Sequence, residues 1–300
     1  MRASPGALRV SCGGPCVSCG GPRASRPSRQ PWLPSREPPR HIADRFDLEA
    51  PVTGPSFDPP AEVAEAATAL FGERLPLAAE YARRLATDGV VRGLIGPRET
   101  ERLWGRHLLN CAAVSELAPS EASVTDVGSG AGLPGLVLAV ARPDLTVVLV
   151  EPLARRVDFL SEVVDDLGLD NVSVVRARAE DATDLSPTDV VTARAVAPLD
   201  RLAAWCLPLA RVGGRLLALK GATAADEVAA HRDAIARLGG GDPVIRSCGV
   251  GLLPEPTTVV EVVRERDVTP AAKRPRGAGA VRSRGGSRSR SGSGPRPPRR

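Results

Sequence analysis

Aromatic side chains are scarce in this chain of 300 residues: four Phe, three Trp and a single Tyr. With so thin a supply, no stacking platform of the kind that grips single-stranded RNA is visible. The one tyrosine, Tyr81, falls among N-terminal helical patterns. There it could not serve a nicotinamide dehydrogenase that works through a Tyr–Lys pair. Histidine is equally sparse, with only His41, His107 and His231, and His231 has nothing catalytic around it. No apolar run reaches the roughly 20 residues that a membrane span needs. The segment after Arg2 lacks the apolar stretch of a secretory signal. The expectation is a cytoplasmic protein with no membrane association. Met1 is the only methionine, so a product beginning closer to Pro60 would need a non-ATG start, with Val52 and Val63 as candidates.

Six cysteines are present. Cys111, Cys206 and Cys248 are scattered, as in a reduced intracellular protein. Cys12, Cys16 and Cys19 form CxxxCxxC, but a zinc or cluster site needs a fourth ligand, and His41 is the nearest one. They read as incidental, and no metal is expected.

The net charge of +5 is unevenly spread. Residues 1–50 carry eight Arg against four acids, and residues 271–300 carry nine Arg, one Lys and no acid. The two ends are therefore about +4 and about +10, which leaves about −9 between them. Residues 1–58 and 268–300 are rich in Pro, Arg, Gly and Ser without apolar period, and both are expected to be disordered. A polycationic tail would add phosphate attraction that weakens steeply with salt. Deleting residues 271–300 is accordingly expected to weaken binding to a polyanionic partner at low salt and to flatten its salt dependence. A salt slope unchanged in the truncated protein would remove that role.

Between the flanks, helical patterns come first: Ala61–Phe71, Pro76–Asp88 and Pro97–Leu117 carry apolar residues at three-to-four spacing. Strands and helices then alternate. The strands are Val124–Val127, Thr146–Glu151, Val172–Arg176, Asp189–Arg194, Gly214–Lys220, Val244–Cys248 and Thr257–Val263. Helices are predicted at Leu133–Ala141, Ala154–Leu167, Pro198–Ala210 and Ala224–Leu238. Such alternation implies a parallel sheet with helices on both faces. The short Gly249–Pro256 link suggests that the last two strands form an antiparallel hairpin at the edge. The expected organisation is a leader (1–58), a helical cap (59–120), an α/β core (121–267) and a basic tail (268–300).

The most informative stretch is VTDVGSGAGLPG, 124–135. An apolar strand runs into Asp126, glycines follow at 128, 130 and 132, and a helix opens at Leu133. Clustered glycines let a ligand lie against the backbone, and the helix start offers unpaired N–H groups. The next strand ends in Glu151, an acid placed to accept hydrogen bonds from ribose hydroxyls. Together these mark the nucleoside-cofactor half of a doubly wound fold. GAGLPG alone would also fit NAD or FAD. Three features favour S-adenosylmethionine: an acid, Asp126, directly before GxGxG and able to face a ligand ammonium, a single nucleotide-binding half, and Ala179 and Glu180 just beyond strand three, where an adenine edge could be met.

DVGSGAGLPG (126–135), EPLARRVDFL (151–160), RAED (178–181), TARAVAPL (192–199), LALKG (217–221) and the upstream LWGRHLLN (103–110) together resemble the RsmG family, or glucose-inhibited division protein B. These are bacterial 16S rRNA guanine-N7 methyltransferases. The resemblance spans about residues 60–267. It implies a class I S-adenosylmethionine-dependent methyltransferase: an α/β, Rossmann-like, seven-stranded, mostly parallel sheet whose last strand is antiparallel, with an N-terminal helical cap. It implies methyl transfer to N7 of one guanine in the decoding region of 16S rRNA, on the small ribosomal subunit. By the same resemblance Gly128 and Leu133 sit in the glycine loop, Ala179 and Glu180 meet the adenine side, and Arg194 is the arginine after strand four.

N7 of guanine carries a lone pair and no proton, so its methylation needs alignment and no general base. No NPPY-type motif is present, and Cys111 and Cys206 lie in apolar helical patterns, as packing residues do. Arg194 could hold a cofactor carboxylate or an RNA phosphate, or be tied into an ion pair with Asp126 or Glu180. Arg106, Arg155, Arg156 and Lys220 are candidate RNA contacts, and His107 reads as a packing or capping residue. The competing functions are an S-adenosylmethionine methyltransferase for another substrate and an RNA-binding protein with a vestigial cofactor site. A monomer is expected.

Overall fold

A computed structural model describes residues 57–182, 185–194 and 197–268. The N-terminal CxxxCxxC, nearly all of the leader and nearly all of the basic tail lie outside the described residues.

Seven strands form one sheet in the order β3-β2-β1-β4-β5-β7-β6. They are β1 (Ser123–Val127), β2 (Thr146–Val150), β3 (Val172–Val175), β4 (Thr188–Arg194), β5 (Ala210–Leu219), β6 (Val244–Cys248) and β7 (Thr257–Val263). The first five pair in parallel, and β7 enters antiparallel between β5 and β6. The last two strands are thus an antiparallel pair as predicted, but only β6 is the edge. Val/Ile/Leu-rich runs that alternate without polar breaks are what a sheet buried on both faces requires. Successive residues divide accordingly. Val190, Leu217 and Val259 join one apolar cluster, while their chain neighbours Val191, Leu216 and Val260 join another.

The first cluster also contains the helical N-terminal segment, α4 (Gly135–Ala141) and α5 (Ala154–Leu167), and the second contains α6 (Leu199–Cys206) and α7 (Ala224–Arg237). Cap and sheet therefore share a continuous core. Within the cap, α1 (Ala64–Phe71) and α2 (Leu75–Arg84) lie as the apolar spacing predicts. Pro97–Leu117, expected as one long helix, is a chain of shorter turns: a 3₁₀ segment Pro97–Arg102, a π segment Leu103–Leu109, α3 (Asn110–Ala113) and a 3₁₀ end Val114–Leu117. The change of pitch brings Leu103, Trp104, His107, Leu108 and Leu109 inward together. Tyr81 is fully buried and donates its hydroxyl to the Ala131 carbonyl at 2.7 Å, tying α2 to the glycine loop. No helix among the described residues is long and apolar enough to cross a membrane.

Candidate functional site

A cleft of 1710 Å³ opens at the C-terminal ends of the parallel strands, where the strand order reverses beside β1. That is where open α/β sheets bind ligands. Typical small-molecule pockets occupy about 300–1,000 Å³, so the cleft has room for a cofactor and a second group. One wall is the loop after β1 with the ends of β2 to β5. The other is the cap, through Glu99, Trp104, Arg106, His107 and Asn110.

Of the residues predicted from sequence, Gly128, Leu133, Glu151, Ala179, Glu180, Arg194, Arg106, Arg156 and Lys220 all border this cleft. Arg155 does not: it is exposed on α5. Gly128 has φ +70° and donates its N–H to the Val150 carbonyl at 2.8 Å, stitching the loop to β2. Gly130 has φ +59°, and a Cβ placed on it would meet no atom closer than 3.8 Å. That empty cradle is the space a ligand needs along the backbone. At Gly135 the reason for glycine is packing: a Cβ there would collide with Leu149 Cδ2 and come within 2.7 Å of Asp126 Oδ2.

Glu151 is 1% exposed yet reaches the cleft. Its Oε2 accepts the Gly130 N–H at 2.9 Å and its Oε1 the Leu153 N–H at 3.0 Å, with Arg156 Nη1 3.5 Å from Oε2. Each carboxylate oxygen retains a second lone pair, so the geometry fits an acceptor for ribose hydroxyls. Ala179 and the exposed Glu180 sit on the 3₁₀ turn Ala179–Asp181 beyond β3.

Asp126 corrects a sequence expectation. It does not border the cleft but is fully buried beneath the loop on the cap-facing side of β1, with Oδ2 accepting the Gly135 N–H at 3.1 Å and Oδ1 without a partner among the described residues. It therefore cannot face a ligand's ammonium directly. Burial pushes its carboxyl up to about 7, opposed by the nearby Ser129 hydroxyl, which itself donates to the Asp126 backbone carbonyl at 2.9 Å, by the Gly135 N–H and by the positive charge of Arg194, and reinforced by Glu151. Tyr81, Cys111 and Cys206 are the other titratable groups that feel it. The folded protein thus holds a proton here that the unfolded chain releases near pH 4. Stability from this group is complete below pH 4 and falls as pH rises toward 7. Asp126→Asn is expected to flatten that part of the curve by one proton, seen as unfolding midpoints measured from pH 4 to 8. Parallel wild-type and variant curves would refute it.

Arg194, at the end of β4, pairs with neither Asp126 nor Glu180. Its Nη1 donates to His107 Nδ1 at 3.2 Å and to Cys111 Sγ at 3.7 Å. His107 in turn lies 2.9 Å through Nε2 from Glu99 Oε2. Burial, then the Arg194 charge, lowers the His107 pKa below the usual imidazole value, so the ring is neutral at pH 7. The sequence gives no sign of this link, because 87 residues separate Arg194 from His107. His107 is buried as a packing residue would be, but it is also hydrogen-bonded at both nitrogens. Cys206 is a buried core residue, and Cys111 is buried with its thiol beside the guanidinium.

The candidate RNA contacts differ in availability. The Arg106 side chain is 65% exposed on the rim, with Nε 3.9 Å from Glu99. The Lys220 ammonium is engaged, donating to Glu227 Oε2 at 2.8 Å and the Ala197 carbonyl at 2.9 Å. Those two acceptors hold it inward rather than toward solvent, and its side chain is 10% exposed.

Comparison with known proteins agrees with this architecture. The family model GidB, rRNA small subunit methyltransferase G, matches residues 74–251. A Salinispora tropica protein named ribosomal RNA small subunit methyltransferase G is 63% identical over 238 residues, 77% of this chain and 97% of that protein. Proteins of the same name from Corynebacterium efficiens and Mycolicibacterium gilvum are 54% and 52% identical, covering 67% and 71% of this chain and 88% and 93% of their own. With a family match over most of the described core and relatives matched over nearly their whole length, this chain belongs to the rRNA small subunit methyltransferase G family.

Proposed function

We propose that this protein transfers a methyl group from S-adenosyl-L-methionine to N7 of a guanine in the decoding region of 16S rRNA. In this reading it acts on the small ribosomal subunit, in the cytoplasm and as a monomer. The observation that carries the reading is the cleft itself: a glycine cradle open at Gly130, a buried carboxylate at Glu151 and an arginine at Arg194 with no acidic partner among the described residues converge on one space larger than a single ligand needs. Membership of the family supplies the substrate class.

When bound, the cofactor supplies an electrophilic methyl group on a sulfonium. The protein's part is binding and alignment. Gly128 and Gly130 admit the ligand against the backbone, Leu133 adds an apolar edge, and Glu151 accepts from ribose hydroxyls. Ala179 and Glu180 meet the adenine side, and Arg194 clamps a carboxylate or phosphate. Arg106 at the rim reaches toward RNA phosphates, which position the substrate without reading its sequence. No side chain has to remove a proton, since N7 bears none. The catalytic gain comes from holding the two reacting atoms in line.

The test is methyl transfer from labelled S-adenosylmethionine to 30S subunits lacking the modification, with intact and RNase-treated arms, followed by mapping of the product. One N7-methylguanine in the decoding region is the expected result. Label in protein, in a small molecule or at another base would overturn the assignment.

A further inference from the structure

We propose that His107 is a positioning residue for Arg194: a neutral imidazole that anchors the guanidinium at the cleft and is itself fixed by Glu99. This rests on the reading of Arg194 as a ligand contact. The three residues come from three elements, the 3₁₀ segment Pro97–Arg102, the π segment Leu103–Leu109 and the end of β4, and all three border the cleft.

A guanidinium has only donors, so His107 Nδ1 must present its lone pair to Arg194 Nη1. The ring proton then sits on Nε2, which donates to Glu99 Oε2 at 2.9 Å. Each end of the chain enforces the same tautomer. The second group at Nη1, the Cys111 thiol, is also uncharged, since burial raises its pKa to about 11. Arg194 is therefore held by neutral partners and makes no ion pair among the described residues. A carboxylate anchor would orient the side chain equally well but would cancel the charge that an anionic ligand needs. The charged groups facing His107 are Glu99, Arg194 and Arg106. A protonated ring would turn an N–H toward the guanidinium and repel it.

The consequence is coupling. His107→Leu removes the lone pair but keeps apolar volume, whereas His107→Asn offers a side-chain carbonyl near the Nδ1 position. Methyl transfer to 30S subunits should be measured for wild type, His107→Leu, His107→Asn, Arg194→Ala and the His107→Leu/Arg194→Ala double variant, with thermal melts alongside. We expect His107→Leu to slow transfer about 30-fold and Asn to recover it to within about threefold of wild type. The double variant should be within about twofold of Arg194→Ala, since two groups that act as one unit are non-additive. Multiplying losses in the double variant, or Asn and Leu variants equally slow with native melts, would overturn the anchor. If Arg194→Ala alone works at the wild-type rate, the assignment of Arg194 fails, and the anchor with it. Should His107→Leu not fold, Glu99→Ala, at a partly exposed position, takes its place. It should cost about tenfold beside Arg194 and nothing in the Arg194→Ala background, and a loss of equal size in both backgrounds would overturn the proposal.

Discussion

Gly128→Asp is expected to weaken S-adenosylmethionine binding by about 100-fold or more while the protein stays folded. The glycine sits at φ +70° in the loop that borders the cleft. Asp enters the left-handed region at lower cost than most L residues, and the Gly128 N–H to Val150 bond uses backbone alone. A carboxylate at 128 would add negative charge to a loop that borders the cleft beside Glu151, which already lies in the cleft wall. Calorimetric titration with S-adenosylmethionine, beside a circular dichroism melt, reads both halves of the expectation. Near-native affinity in a folded variant would mean that the ligand does not pass along this loop.

Arg194→Ala should lower kcat/KM by about 100-fold, in the range found when a charged contact to a reacting ligand is removed. The cost in stability should be about 1 kcal/mol, because among the described residues the deletion leaves two neutral acceptors, His107 Nδ1 and Cys111 Sγ, without their donor. Which KM moves is informative. A rise in KM for S-adenosylmethionine places the guanidinium on the cofactor carboxylate, and a rise for the 30S subunit places it on an RNA phosphate. An unchanged kcat/KM would reduce Arg194 to a strut between β4 and the cap.

The order of elements and the position of the cleft were legible in the chain. Apolar runs bounded by glycines and acids marked all seven strands to within a few residues. Only the start of β5 was misplaced, because Arg211–Gly214 looks like a turn and is drawn into the sheet by pairing that begins at Thr188↔Ala210. That Gly128, Gly130 and Glu151 would lie together at the strand ends was legible from spacing, since a glycine turn after one strand and an acid after the next are local features of a βαβ unit. The sequence also determined that the polycationic segments lie at the two ends and that the middle is acidic.

Tertiary packing decided the rest. Asp126 and Glu151 each end an apolar strand and look equivalent in sequence, yet the pleat turns Asp126 under the loop and the chain beyond β2 carries Glu151 into the cleft. Lys220 and Arg194 both follow parallel strands, but α7 offers Glu227 to the lysine while the cap offers the arginine a neutral histidine. Hydrogen-bond partners as far apart as 87 residues have no local signature. A strand's period fixes which face a side chain takes, but only the packing of a helix against that face fixes whether it meets a charge, a lone pair or open space.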